Sequence, residues 1–222
     1  LEIKCQDVIL PACSDIDSPA DDVLLNTAKF IDELLTKFYK LDAYYKCKDR
    51  SDLVGHLIIC LAPHTSAGTT ARIIGFSKNQ GLMAHPYLHC ACRRDCDGDE
   101  LGFFLSLDGL LNFSKRFLPG TRGSTMDAPL VLTSVIDPAE VDDMVFDMDI
   151  SWRYPLSMYN AALEYKMPWD CKIDQINSHL GKESQYEGHG FTHDNGDFNT
   201  GVFVSSYKTL PTMAEKLLSQ MD

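Results

Sequence analysis

Asp95, Asp97 and Asp99 alternate with Cys96 and Gly98, so three carboxylates fall within five residues at a spacing of two. On an extended segment that spacing puts all three on one side. Clustering like charges is costly unless something cancels them, and a divalent cation is the usual solution. Hard oxygen ligands of this kind suit Mg²⁺ or Mn²⁺. Gly98, between two of the acids, frees the backbone for a tight turn. Arg93 and Arg94 stand immediately before the acids, and cations beside a carboxylate-bound metal are what phosphate groups require. The chemistry suggested is metal-assisted phosphoryl transfer, with the reaction left open.

Three rival readings compete. A helix-loop-helix calcium loop would need glycine at the sixth residue from Asp95 and glutamate at the twelfth, where the chain has Glu100 and Ser106. A structural zinc site could draw on His85, His89, Cys90, Cys92 and Cys96, but the spacings are irregular and contain no Cys-x-x-Cys pair. An exposed, water-filled turn is the third reading; the arginines before it and the apolar pattern after it weigh against that.

The surrounding chain has 222 residues, enough for one core with attached elements or for two small domains. Its 45% hydrophobic and 23% charged residues are ordinary globular composition, without low-complexity tracts or a sustained repeat. No apolar run reaches the roughly 18 residues of a membrane span, and Leu1-Glu2-Ile3-Lys4 is neither a signal peptide nor a start methionine, so the chain reads as a soluble piece of a longer one. Cys5, Cys13, Cys47, Cys60 and Cys171 are scattered and read as reduced, mostly buried thiols. A net charge of −12 argues against broad nonspecific binding to nucleic acid. Between Cys60 and Thr125, however, seven basic residues face five acids, making the middle of the chain the best candidate for a polyanion site.

Ile3 to Leu10 predicts a short strand stopped by Pro11. Ser18-Pro19-Ala20-Asp21 reads as an N-cap opening a helix to about Tyr39, with Leu24, Ala28, Ile31, Leu34, Leu35 and Phe38 on one buried, structural face. Leu53–Leu61 and Arg72–Phe76 predict two short buried strands flanking a polar turn, with a helix over Ser66–Phe76 as the alternative. His64, Thr65 and Ser66 in that turn either line a substrate or form a satisfied structural turn. Glu100 to Phe117 carries an amphipathic pattern that predicts a second helix, and Leu130–Ile136 a buried strand. The acidic run from Glu140 to Asp149 reads as a solvated face. A helix is expected over Leu156–Tyr165, then a polar, glycine-rich loop from Lys182 to Thr200.

Several blocks together resemble a known family. Leu61-Ala62-Pro63-His64-Thr65-Ser66-Ala67-Gly68, Arg72-Ile73-Ile74-Gly75-Phe76, Ala84-His85-Pro86-Tyr87, Arg93-Arg94 with Cys96-Asp97-Gly98-Asp99-Glu100, Leu111-Asn112-Phe113-Ser114 and Met126-Asp127-Ala128-Pro129-Leu130-Val131-Leu132 are similar to the large, catalytic subunit of archaeal family D DNA polymerase, and occur in family order. The likeness continues through Trp152-Arg153-Tyr154-Pro155-Leu156 and weakly into Phe191-Thr192-His193-Asp194.

The resemblance implies an α+β fold with double-psi β-barrel elements like those of multisubunit RNA polymerases. It divides the chain into a strand and helix over 1–50, a catalytic barrel segment with the metal loop over 51–155, and a helical and loop segment over 156–222. The family pattern Asn-Cys-Asp-Gly-Asp maps its two metal-binding, catalytic aspartates onto Asp97 and Asp99. Asp95 stands where the family usually has asparagine and is a further potential metal ligand. Arg93 and Arg94, with His64, Thr65 and Ser66, are the expected DNA and nucleotide contacts. The family implies Mg²⁺ or Mn²⁺ here, zinc modules elsewhere in the longer polypeptide, and a cytoplasmic setting without a membrane. The implied partners are a small exonuclease subunit, primer-template DNA, deoxynucleoside triphosphates and a sliding clamp. The piece alone is expected to be inactive; a noncatalytic piece that binds a partner subunit is the alternative function.

Overall fold

The computed structural model describes residues 4–12, 18–63, 65, 67–94, 98–107, 131–190, 196–200 and 212–221. Its centre is a mixed sheet of strands β1 (Asp7–Pro11), β2 (Leu57–Leu61), β3 (Ala67–Ser77), β4 (Met83–Ala84), β5 (Gly102–Leu105) and β6 (Val131–Thr133). The order is β4-β1-β3-β2-β5, with β6 also on β3. Helices α1 (Ala20–Glu33), α2 (Pro86–Cys92), α3 (Leu156–Leu163) and α4 (Met213–Met221) complete an α+β architecture.

β2 and β3 form an antiparallel pair from Leu57↔Arg72 to Leu61↔Gly68, the hairpin anticipated from their apolar runs. The alternative helix over Ser66–Phe76 is excluded, because β3 is a continuous strand from Ala67 to Ser77. β2 pairs on its other edge with β5, from Ile58↔Leu105 to Leu61↔Gly102. The helix expected from Glu100 therefore does not begin there. Phe103, Phe104 and Leu105 satisfy the hydrogen-bonding edge of β2, a long-range demand that outweighs a local helical pattern. The remainder of that expected helix, from 108 onward, lies outside the described residues. β6 runs parallel to β3, from Ala67↔Val131 to Thr69↔Thr133.

The chain divides into two units. One comprises residues 1–8, 54–74 and 84–196. Its core includes Val8, Ile58, Ile59, Ile73, Val145 and Ile176, all at 0% exposure. Arg72 clasps the buried Asp7, its Nε and Nη2 lying 2.9 and 2.7 Å from Oδ1. Gln6 donates from Nε2 to the carbonyls of Thr70 and Ser134, at 2.6 and 3.1 Å, and accepts the Ile136 N–H, tying the start of β1 to β3 and to the chain after β6. Within the acidic run, Glu140, Asp143 and Asp147 are exposed as expected. Asp142 instead caps the turn Asp143–Val145, and Asp149 accepts hydrogen bonds from Tyr154 Oη at 2.7 Å and Gln175 Nε2 at 3.0 Å.

The other unit comprises residues 9–53, 75–83 and 197–222. α1 packs through Ala20, Leu24 and Ala28 against a 3-10 turn at Arg50–Leu53, whose Leu53 is fully buried. Ser18 is not the cap: Pro19 occupies that position and no side chain accepts a capping hydrogen bond. Nor does the buried face continue to Phe38, since the α-helix gives way at Leu34–Tyr39 to a π-helix with no buried side chain. α4 opens with a capping box, Thr212 Oγ1 accepting the Glu215 N–H and Glu215 Oε2 accepting the Thr212 N–H, both at 3.2 Å.

Candidate functional site

Three pairings bring distant segments to one end of the sheet. Leu61 closes β2 and pairs with both Gly68 and Gly102, while Ala67 pairs with Val131. The turn after β2 and the starts of β3, β5 and β6 therefore share that end. Space is tight at Gly102: a Cβ on it would lie 3.3 Å from the Leu61 carbonyl oxygen.

α2 delivers the chain to this end. His85 is its N-cap, with Nδ1 accepting the Tyr87 N–H at 3.2 Å, and Pro86 fills the first helical position, where a missing N–H costs nothing. Tyr87, Leu88 and Cys92 are buried, and Tyr87 Oη donates to the Gln185 carbonyl at 2.8 Å. Arg93 closes the helix in the left-handed conformation, φ 53°, and its N–H bonds the Cys90 carbonyl at 3.0 Å. This helix was not anticipated, although His85-Pro86 carried its signature.

The acidic turn follows directly. Gly98 has φ +113°, a conformation that glycine adopts freely, as expected for the turn. Arg94 Nη1 lies 3.8 Å from Asp99 Oδ2 and donates to the Arg93 carbonyl at 3.0 Å. The Asp99 side chain remains 43% exposed. Asp95 and Asp97 lie outside the described residues, as do His64 and Ser66. Thr65 is described: its Oγ1 donates to the Ala62 carbonyl at 3.0 Å, so its hydroxyl braces the turn after β2. Among the described residues no three His, Cys, Asp or Glu side chains converge to hold a metal ion.

Two buried clusters involve α2 and its N-cap, and neither was legible from sequence spacing. His85 and His189 stand with ring centroids 5.3 Å apart, and Tyr87 lies 4.8 Å from His85. Burial, reinforced by the neighbouring His189 and His89, lowers His85 to about 4. Burial also lowers His189 and His89. In the second cluster, the Cys60 thiol on β2 bonds the Cys92 sulfur at the end of α2; that bond and burial push Cys60 well above the ordinary thiol range. Cys47 is also buried, whereas Cys5 and Cys171 are only half-buried.

The geometry gathers an exposed carboxylate, an arginine and a glycine turn at a sheet end, backed by a buried helix. Comparison with known proteins identifies the family. The family model for the catalytic domain of DNA polymerase II large subunit DP2 matches residues 1–216. The chain is 51% identical over its whole length to the DNA polymerase II large subunit of Methanococcus vannielii, covering 19% of that protein. It is 50% identical to the same-named protein of Archaeoglobus fulgidus, covering 19%, and 48% identical to that of Pyrococcus furiosus, covering 17%. The chain thus spans about a fifth of the length of these relatives, and with nearly every residue matched it belongs to the family of the DNA polymerase II large subunit catalytic domain.

Proposed function

We propose that this chain forms part of the active site of a DNA-directed DNA polymerase, with Asp97 and Asp99 as the ligands of a divalent cation, Mg²⁺ or Mn²⁺. The observation that carries this reading is the family match across residues 1–216. The donor chemistry fits: the turn offers carboxylate oxygens, and Asp99 is open to a cation that keeps part of its water shell. Asp95 adds a third carboxylate where the family pattern has asparagine, deepening the negative potential of the turn.

A cation held by Asp97 and Asp99 would supply charge neutralisation at the phosphates and favour attack of a primer 3′-hydroxyl on the α-phosphate of a deoxynucleoside triphosphate, with pyrophosphate as the leaving group. The chain's own residues position the reactants. Asp97 and Asp99 hold the charge that fixes the reacting centre. Arg94, 3.8 Å from Asp99, tempers the repulsion among the carboxylates and, with the exposed Arg93, meets phosphate oxygens. His64 and Ser66 line the nucleotide side, and Thr65 shapes the turn that carries them. In this reading the sheet is part of a double-psi β-barrel whose segment spans 51–155, flanked by 1–50 and 156–222. The partners are a small exonuclease subunit, primer-template DNA, deoxynucleoside triphosphates and a sliding clamp, with zinc modules in the rest of the polypeptide.

The test uses the full-length large subunit with its partner. Asp97→Asn and Asp99→Asn should each reduce Mg²⁺-dependent primer extension by at least about 10³-fold, the scale of losing a principal charge-stabilising group, while assembly and DNA affinity stay near wild type. Retained extension in both variants would remove the assignment.

A further inference from the structure

The segment Lys37–Arg50 contains five basic residues, Lys37, Lys40, Lys46, Lys48 and Arg50, against two acids, Asp42 and Asp49. It therefore carries +3 in a chain of net −12, a denser positive charge than the middle of the sequence offers. Its aromatic rings face solvent: Phe38, Tyr39 and Tyr44 are 72%, 58% and 71% exposed. They are braced edge-on in neighbouring pairs, Phe38 with Tyr39 at 5.0 Å and Tyr44 with Tyr45 at 4.9 Å.

The backbone beneath is held in uncommon conformations. The π-helix Leu34–Tyr39 ends at Lys40, with φ 58°, and Lys46 has φ 54°, so two lysines occupy the left-handed region that non-glycine residues enter at a cost. π-Turns and such backbone outliers cluster at functional sites. Asp32 fixes the loop: Oδ1 accepts the N–H groups of Tyr44 and Tyr45, both at 2.8 Å, and Oδ2 accepts that of Lys46 at 2.6 Å. Asp52 Oδ2 accepts the Lys48 N–H at 2.7 Å. These two carboxylates spend their charge on main-chain donors. Lys46 and Lys48 make no ion pair among the described residues, whereas Lys37 pairs with Glu33 and Arg50 with Asp21.

We infer that this loop is a single-stranded nucleic-acid contact, in which Lys46 and Lys48 meet backbone phosphates and the Tyr44, Phe38 and Tyr39 rings receive bases. Ammonium groups interleaved with open aromatic rings match a strand whose phosphates and base faces are both accessible, and a preordered loop lowers the entropy lost on binding. Charge complementarity selects an anionic partner, and the open Phe38, Tyr39 and Tyr44 rings, on which bases stack, select a nucleic-acid strand over an acidic protein surface. Only the identity of the strand, an unpaired template, rests on the polymerase reading; the surface itself stands on its own charge and exposure.

The experiment titrates the full-length large subunit, with its partner, into a fluorescent oligo-dT of about 20 nucleotides across a series of salt concentrations. Lys46→Gln combined with Lys48→Gln should weaken binding about tenfold at low salt and flatten the log–log salt slope by about 1.4, two phosphates at about 0.7 each. Tyr44→Ala should weaken it at least about fivefold with the slope unchanged. Unchanged affinity and slope overturn the proposal, as does a loop effect seen only with duplex DNA. Acetylation footprinting of the wild-type protein guards against misfolded variants: Lys46 and Lys48 should label in the free protein and be protected by oligo-dT. Equal labelling with and without oligo-dT, or no labelling in the free protein because another segment covers the loop, also overturns it. Asp97→Asn and Asp99→Asn should bind the oligonucleotide normally. If those variants keep extending primers while the lysine effects hold, the catalytic assignment fails and this one stands.

Discussion

His85 is neutral at ordinary pH because it is buried, beside His189 and below the backbone donor it caps. Both ring nitrogens of His189 are buried without a hydrogen-bond partner among the described residues, and burial outweighs the attraction of Asp174, holding its pKa below the ordinary value. A histidine held at about 4 when folded and near 6.5 when unfolded makes the unfolded chain bind more protons between those values. Stability is thus unaffected above pH 6.5, falls as pH drops from 6.5 to 4, and levels off below. For His85 alone the full loss is about 3 kcal/mol, and His189 and His89 shift in the same direction. Urea midpoints measured from pH 7.5 to pH 4 should trace this decline. His85→Asn, which keeps an N-capping acceptor, should flatten it. A midpoint independent of pH over that window would contradict the burial of this pair.

Between elements, one glycine is decisive. A Cβ on Gly190 would meet Trp152 at 2.5 Å from Cδ2 and 2.9 Å from Cα, and the latter cannot move aside by rotation of a side chain. The Gly190 N–H also bonds the Ile150 carbonyl at 3.0 Å, which fixes the strip next to the histidine pair. Gly190→Ala should cost about 2–3 kcal/mol, read as a lowered denaturant midpoint with an unchanged slope. Elements whose cause is local were legible in the sequence. The β2–β3 hairpin follows from two apolar runs and a polar turn, and the positive φ of Gly98 follows from a glycine placed between acids. Elements that answer a distant partner were not. Phe103-Phe104-Leu105 fits a helical stripe when read alone, yet an unpaired edge of β2 claims it. Phe38 continues the spacing of α1 although nothing among the described residues of its unit covers it. The Cys60–Cys92 and His85–His189 pairs join residues 32 and 104 positions apart, separations to which no periodicity points.

Over the whole molecule, exposed apolar groups mark what lies beyond this chain's own contacts. α3 has no buried side chain, and the stretch around it exposes Trp152, Leu156, Leu163, Tyr165 and Trp169, the last at 78%. An apolar surface of that kind belongs against other protein, and the relatives are about five times longer. The 222-residue chain alone, with its net −12, should therefore give no primer extension above background, while the assembled polymerase does. Robust extension by the isolated chain would show that its own residues suffice.

The sheet end that gathers the acidic turn also sets an order of assembly. β2 and β3 are five residues apart, β5 enters about forty residues after β2, and β6 about sixty after the start of β3. Loop closure grows costlier with each step, so the hairpin is expected to zip before β5 and β6 dock at this end. The end of the sheet that carries Asp99 thus gains its full set of neighbours only after the hairpin has formed. Until β6 arrives, β3 offers a bare edge at Ala67–Thr69, the point at which a nascent chain is most open to pairing with the wrong strand.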